Sequence, residues 1–151
     1  MKYYDKWEHI QHAMNVGTWA SAVASSIGLD TRLAYEGGLL HDVGKCYCAV
    51  EHHAKIGFII INETEKYDMV VAKLALYHHQ FQANEGIPDL VTDPDDKFME
   101  MAEIIALCDK TEAYTNRRRL PPNKAIKSAL SHYPFKHADV LLKLLTRNRA
   151  V

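Results

Sequence analysis

Five separated points along the chain place imidazole or carboxylate where helix packing asks for an apolar side chain: His12, His41-Asp42, His53, His78-His79 and Asp109. One buried histidine is ordinarily a satisfied core residue. Seven nitrogen and oxygen donors converging on one core are different, because a buried carboxylate without a cation is too costly to keep. The donor set has the composition of a metal site. Imidazole with carboxylate and no thiolate suits a catalytic divalent ion such as Mn, Fe, Ni or Zn, rather than a cysteine-rich structural zinc. His78 and His79 are adjacent and point about 100° apart on a helix, so they flank one direction without sharing a point, which suits two neighbouring ions better than one. Asp109 follows Leu107-Cys108 on an apolar stripe and wants a buried cationic partner.

The elements that position these residues are helical throughout, with no run of alternating strand pattern and no repeat. The first helix is expected from Asp5 to about Ile27, with His12, Val16, Ala20, Val23 and Ile27 on one stripe, so that His12 points inward. Gly28 ends it and Asp30 or Thr31 caps the next, which runs through Leu33, Ala34, Leu39 and Leu40 to His41-Asp42 before Gly44 stops it. Further helices are expected at Val50 to Asn62 and Lys66 to His79, then a polar loop from Gln80 to Pro94. A long helix from Asp95 to Asn116 carries Phe98, Ala102, Ile105 and Asp109 inward. Pro121-Pro122 breaks the chain, and helices at Asn123 to Ser131 and Lys136 to Arg149 complete it. The expectation is a single all-α domain over residues 1–151, a bundle of about six to seven helices.

Composition narrows the function. Eighteen basic and 19 acidic residues leave a formal net charge of −1, so no global field draws the chain to nucleic acid or an anionic membrane. The opening segment MKYYDKWEHIQHAM is charged where a secretory signal needs an unbroken apolar core, and no stretch reaches membrane-spanning length. A cytoplasmic protein is expected, with reduced thiols, since three cysteines is an odd count and Cys46 and Cys48 are too close for a comfortable bridge. Trp7 and Trp19 read as core or surface aromatics rather than base-stacking platforms.

Leu39 to Lys45 (LLHDVGK), preceded by His12 and followed by His53 with Gly57, His78-His79 and Asp109 in ALCDKTEAYTNRR, resembles the HD superfamily of metal-dependent phosphohydrolases, in order and over nearly the whole chain. Within it the chain is most similar to a compact HD-GYP-type domain with a degenerate signature: His78-His79-Gln80 stands where that branch has HHE, and Gly86-Ile87-Pro88 where it has GYP. The segment between Asp42 and His53 is shorter, similar to the bacterial dinucleoside-tetraphosphate-cleaving type.

The resemblance implies two divalent ions, one held by His12, His41, Asp42 and Asp109, the other by His53, His78 and His79, with Asp42 bridging. His52 competes with His53, and the spacing to Gly57 favours His53. Lys45 is similar to the family lysine that neutralises phosphate charge; on spacing alone it is equally a solvated lysine at a helix end. Arg117-Arg118-Arg119 reads either as a solvated helix end or as a phosphate clamp if that turn faces the same mouth as Asp109, and Arg118 aligns best with the family arginine. The implied activity is hydrolysis of a phosphomonoester or phosphodiester bond in a nucleotide or cyclic dinucleotide by metal-activated water, with Asp42 and Lys45 as catalytic residues. The implied partner is a phosphorylated small molecule, with no membrane or nucleic acid and with a homodimer allowed. The altered HHE and GYP positions also permit a signalling module that binds a nucleotide or protein partner without turnover.

Overall fold

The computed structural model describes residues 6–46, 52–81 and 96–147, with side chains for 7–46, 52–79 and 97–147. Among them are seven α-helices and no strand: α1 Lys6–Ile27, α2 Thr31–Leu40, α3 His53–Glu63, α4 Met69–Tyr77, α5 Asp96–Glu112, α6 Pro122–Leu130 and α7 Ala138–Thr146. Short 3-10 turns span Val43–Cys46 and His78–Phe81, and a π-helical turn spans Ala113–Arg117. The all-α expectation holds. The glycine-isoleucine-proline segment at 86–88, Tyr47, Cys48 and most of the polar loop lie outside the described residues.

Local chemistry sets the helix ends. Gly28, at φ +77°, closes α1 by turning the chain so that Leu29 N donates to Ala24 O at 2.9 Å. Asp30 then caps α2 by accepting from Leu33 N at 3.0 Å, and Asp68 caps α4 by accepting from Val70 N at 2.9 Å. Pro122 opens α6 where a missing N–H costs nothing. The fourth helix departs from its expected span: α4 ends at Tyr77, and the chain tightens into a 3-10 turn at the paired histidines. The long helix likewise widens into a π turn after Glu112.

The central element is α5, buried continuously from Met101 to Cys108. Ala102, Ile104, Ile105 and Leu107 pack there with Val16, Ala20 and Val23 of α1, Leu74 of α4 and Leu141 of α7. Burial of each large aliphatic side chain contributes about 1.5–3 kcal/mol. Trp19 lies partly buried against this core, while Trp7 is exposed. Cys108 is buried as a free thiol and Cys46 is exposed.

Two glycine contacts bring the polar stops together. At Gly38 a Cβ would lie 2.7 Å from Gly17 Cα, so α1 and α2 touch backbone to backbone just before His41. At Gly44 a Cβ would collide with the His53 carbonyl, so only glycine lets the turn after Asp42 rest on the start of α3. These approaches carry His12, His41, Asp42 and His53 into one volume.

Candidate metal centre

The side chains named from the sequence meet as two clusters sharing one carboxylate. His12, His41, Asp42 and Asp109 form the first; Asp42, His53, His78 and His79 form the second. In each, one ligand atom per residue lies within 4.8 Å of all the others. Asp42 Oδ2 faces the first cluster, 3.1 Å from His41 Nε2 and 3.7 Å from His12 Nε2. Asp109 Oδ1 completes it at 3.0 Å from His12 Nε2 and 3.4 Å from His41 Nε2. Asp42 Oδ1 faces the second, 3.2 Å from His53 Nε2 and 3.3 Å from His78 Nε2. His79 Nε2 lies 2.7 Å from His53 Nε2. The paired histidines thus serve the same cluster, their ring centroids 3.9 Å apart, because α4 has already given way to a 3-10 turn where they stand.

The donors fit divalent ions in spacing and in chemistry. An ion about 2.1 Å from each ligand atom sets neighbouring ligands about 3.0 Å apart in an octahedron and about 3.4 Å apart in a tetrahedron. Five of the seven separations given above lie between 3.0 and 3.4 Å. The ring tautomers agree. His41 Nδ1 donates to Gly38 O at 2.5 Å and His78 Nδ1 donates to Ala75 O at 2.6 Å, so their protons sit on Nδ1 and each Nε2 turns toward the centre. His12 Nδ1 is held by Glu112 Oε1 at 2.7 Å, the carboxylate–histidine arrangement that orients a metal ligand. His41 Nε2 and Asp42 Oδ1, both buried, have neighbours at ion-pair distance but no hydrogen-bond partner. Such atoms are expensive to bury unless a cation engages them.

Electrostatics without ions follow from the same contacts. Burial would raise the Asp42 carboxyl, but His41, His53 and His78 outweigh it and hold Asp42 well below the ordinary range. Asp109 is half-buried; desolvation would raise it too, but His41 and His12 hold it well down. Burial opposes charge on His41 and His12, yet Asp42 and Asp109 lift His41 well above the usual imidazole value, and Asp109 and Glu112 raise His12. His78 goes the other way: burial lowers it to about 4, leaving it neutral and ready to ligate at pH 7.

Lys45 Nζ lies 3.0 Å from Asp42 Oδ2 with its side chain 20 % exposed, so it joins the bridging carboxylate to the accessible side of the centre. Arg118 is placed elsewhere. Its guanidinium stacks over the Tyr114 ring at 5.6 Å, while Arg117 and Arg119 line the cleft beside His12. Sequence reading passed over Glu112, whose Oε2 also accepts from Asn15 Nδ2 at 2.9 Å and Asn116 Nδ2 at 2.7 Å. The signal was present: Glu112 lies three residues after Asp109 and Asn15 three after His12, each on its ligand's face. His9, one turn before His12, was also missed; burial lowers its pKa, and it feels Asp42, Lys45, His12 and His41.

A helical bundle that gathers ordered histidines and aspartates around a shared carboxylate defines a class. The HD-domain family model matches residues 9–114, and the chain belongs to that family, whose members bind divalent metals. Its relatives include Ribonuclease Y of Lactobacillus helveticus, 34% identical over 91 residues that make up 57% of this chain and 16% of that one. Ribonuclease Y 2 of Levilactobacillus brevis is 31% identical over 113 residues, 72% of this chain and 20% of the relative. The chain therefore spans a fifth or less of the length of these curated relatives. Among solved structures, the HD domain of the Listeria monocytogenes phosphodiesterase PgpH superposes with a TM-score of 0.68 at 17% identity, covering 93% of this chain and 91% of that one. The same domain in complex with cyclic-di-AMP matches at 0.57 and 21% identity, covering 93% and 76%. At these identities the likeness establishes the shared fold. No described helix is long and apolar enough to cross a membrane.

Proposed function

We propose that residues 1–151 form one HD-type domain that hydrolyses a phosphomonoester or phosphodiester bond of a nucleotide or cyclic dinucleotide, using two divalent ions. The observation that carries this reading is Asp42, whose two carboxylate oxygens face two separate sets of donors. His12, His41 and Asp109 would hold one ion with Asp42 Oδ2; His53, His78 and His79 would hold the other with Asp42 Oδ1. When bound, Fe, Mn, Ni or Zn at these positions supplies positive charge for the phosphate and acidifies the attacking water. In the net reaction water would add across the P–O ester bond, its oxygen going to phosphorus and one of its protons to the leaving alcohol.

The protein's own groups do the remaining work. Glu112 and the Gly38 and Ala75 carbonyls hold imidazole Nδ1 protons, so the Nε2 atoms stay aimed without rearrangement. Lys45, tethered to Asp42 and partly exposed, is placed to take a phosphate oxygen as negative charge builds on it. The similarity to a phosphodiesterase domain solved with cyclic-di-AMP and to Ribonuclease Y supports phosphodiester chemistry in a nucleotide. A phosphorylated small molecule met in the cytoplasm, by a monomer or homodimer, completes the reading.

The test is metal content together with turnover. Purified protein should carry close to two equivalents of transition metal and hydrolyse bis(p-nitrophenyl) phosphate or p-nitrophenyl phosphate with Mn or Fe added, and Asp42→Ala should lose both properties. Full activity in Asp42→Ala would refute the mechanism. Gln80, where the similar branch has glutamate, favours the second reading, a nucleotide-binding signalling module. Ligand-induced thermal stabilisation without product, across several metals, would select it.

A further inference from the structure

Beside the metal centre, and sharing His12 with it, lies a cleft of about 470 Å³ between the start of α1 and the end of α5. Gln11 and Glu8 line it from α1; Glu112, Asn116, Arg117 and Arg119 line it from the other side. Asp109 to Asn116 is seven residues, so the cleft reaches about 10 Å from the metal ligands along the end of α5 and the π turn that follows it. The two arginines have no ion-pair or hydrogen-bond partner among the described residues, although Arg118 between them is stacked on Tyr114.

The backbone is bent to make this arrangement. After Glu112 the helix widens into a π turn, and Leu120 N closes the end by donating to Tyr114 O at 3.1 Å. That closure puts Arg119 at φ +54°, a left-handed position where helix ends ordinarily carry glycine. A π turn re-aims the side chains it carries, and a long charged residue kept in a left-handed position is a mark of function more than of folding. Glu112 is bonded to His12 and accepts from Asn116, so the two form a fixed floor.

We infer that this cleft is a second phosphate subsite, in which Arg117 and Arg119 bind a phosphate group other than the one hydrolysed. The preferred substrate would then carry at least two phosphates, as in a nucleotide oligophosphate or a dinucleotide with a terminal phosphate. The inference rests on the phosphohydrolase reading for the reaction, but not for the binding. Two guanidiniums clamping one phosphate would discriminate its presence by about tenfold or more.

Inorganic tripolyphosphate titrated calorimetrically into the metal-free protein in chelator removes the ions' contribution, and the arginine variants then isolate that of the cleft. Binding should weaken by about tenfold in Arg119→Gly and further in Arg117→Gln/Arg119→Gly. Arg32→Gln, which removes an equal charge from the distant Arg32–Glu36 surface pair, should have no such effect. Arg119→Gly also relieves the left-handed strain, so its melting temperature should hold or rise while affinity falls, the reverse of what a merely structural arginine would show. In metal-loaded protein, the preference in kcat/KM for a 5′-phosphorylated dinucleotide over its unphosphorylated form should fall toward one in the double variant. No saturable tripolyphosphate binding by the wild type, or equal weakening in Arg32→Gln, overturns the inference. Arginine-dependent tripolyphosphate binding without any turnover upholds the subsite and refutes the hydrolase reading instead.

Discussion

Replacing Glu112 with glutamine tests whether the centre is aimed from behind. Glu112 is 2 % exposed and accepts three hydrogen bonds, from His12 Nδ1 at 2.7 Å, Asn15 Nδ2 at 2.9 Å and Asn116 Nδ2 at 2.7 Å. Every partner is a donor. Glutamine keeps the shape but offers one carbonyl oxygen and one NH2, so whichever way the amide turns, a donor meets a donor. If the NH2 faces His12, the ring is pushed to the other tautomer, and its Nε2 proton points at Asp109 and at the ion position. If it faces the asparagines, His12 keeps a bond that is weaker for want of charge. Loss of such a supporting partner costs about 10–100-fold in metal affinity, or about 1.4–2.7 kcal/mol. Competition against a chelating dye should therefore show one weakened ion in Glu112→Gln, with the second cluster, which Glu112 does not touch, retaining its affinity. Melting of the metal-free variant should also fall, because a buried donor is left without an acceptor. Two unchanged metal affinities would refute the assignment of Glu112 as the positioning residue for His12.

The protonation pattern predicts that the two clusters load differently. His12 and His41 are raised, so they hold protons that must leave before either can ligate, whereas His78, at about 4, has none to lose at pH 7. First-cluster affinity should thus fall as pH drops below the raised values, and its binding heat should change with the buffer's ionisation heat; a buffer-independent heat would refute this. Gly38→Ala should destabilise the fold by about 1–3 kcal/mol in urea unfolding, because its Cβ would lie 2.7 Å from Gly17 Cα and 3.0 Å from Val16 O, and a neutral substitution would show that α1 and α2 can part freely. Inorganic phosphate should protect the metal-loaded protein from thermal unfolding far more than the metal-free protein, and equal protection would place its binding away from the ions.

Much of this site was legible because helical periodicity is a local property. His12 shares a stripe with Val16, Ala20 and Val23, all fully buried, so its inward direction could be read from spacing alone. The same holds for Asp109 behind Ala102 and Ile105. What spacing could not carry was any change of helix type. Spacing alone sets the paired histidines on a regular helix flanking two ions, whereas the resemblance gives both to the second ion; the 3-10 turn that begins at His78 is what brings both to that cluster. The π turn after Glu112 likewise separates the three arginines, so the one that aligns by resemblance stacks on Tyr114 while its neighbours line the cleft. Glu112 is harder to read because its role depends on His12, 100 positions away in the chain. Nor could the sequence show that Gly38 meets Gly17, a contact that exists only once α1 and α2 are packed.

The charges around Asp42 explain why such a centre is stable enough to fold and still able to bind phosphate. Without metal, three carboxylates, Asp42, Asp109 and Glu112, face two raised imidazoles, His12 and His41, and the Lys45 ammonium, so the protonated site is close to neutral. Protons thus stand in for part of the metal charge while the chain folds, and the burial of Asp42 and Asp109 is tolerated. Two divalent ions entering in place of two protons leave a surplus of about two positive charges, concentrated where solvent is largely excluded. A phosphate ester anion meets that surplus directly. The same exchange makes metal loading, pH and substrate affinity parts of one equilibrium. Asp42 is its pivot, since each of its oxygens faces a different cluster and it alone among the described residues belongs to both ligand groups.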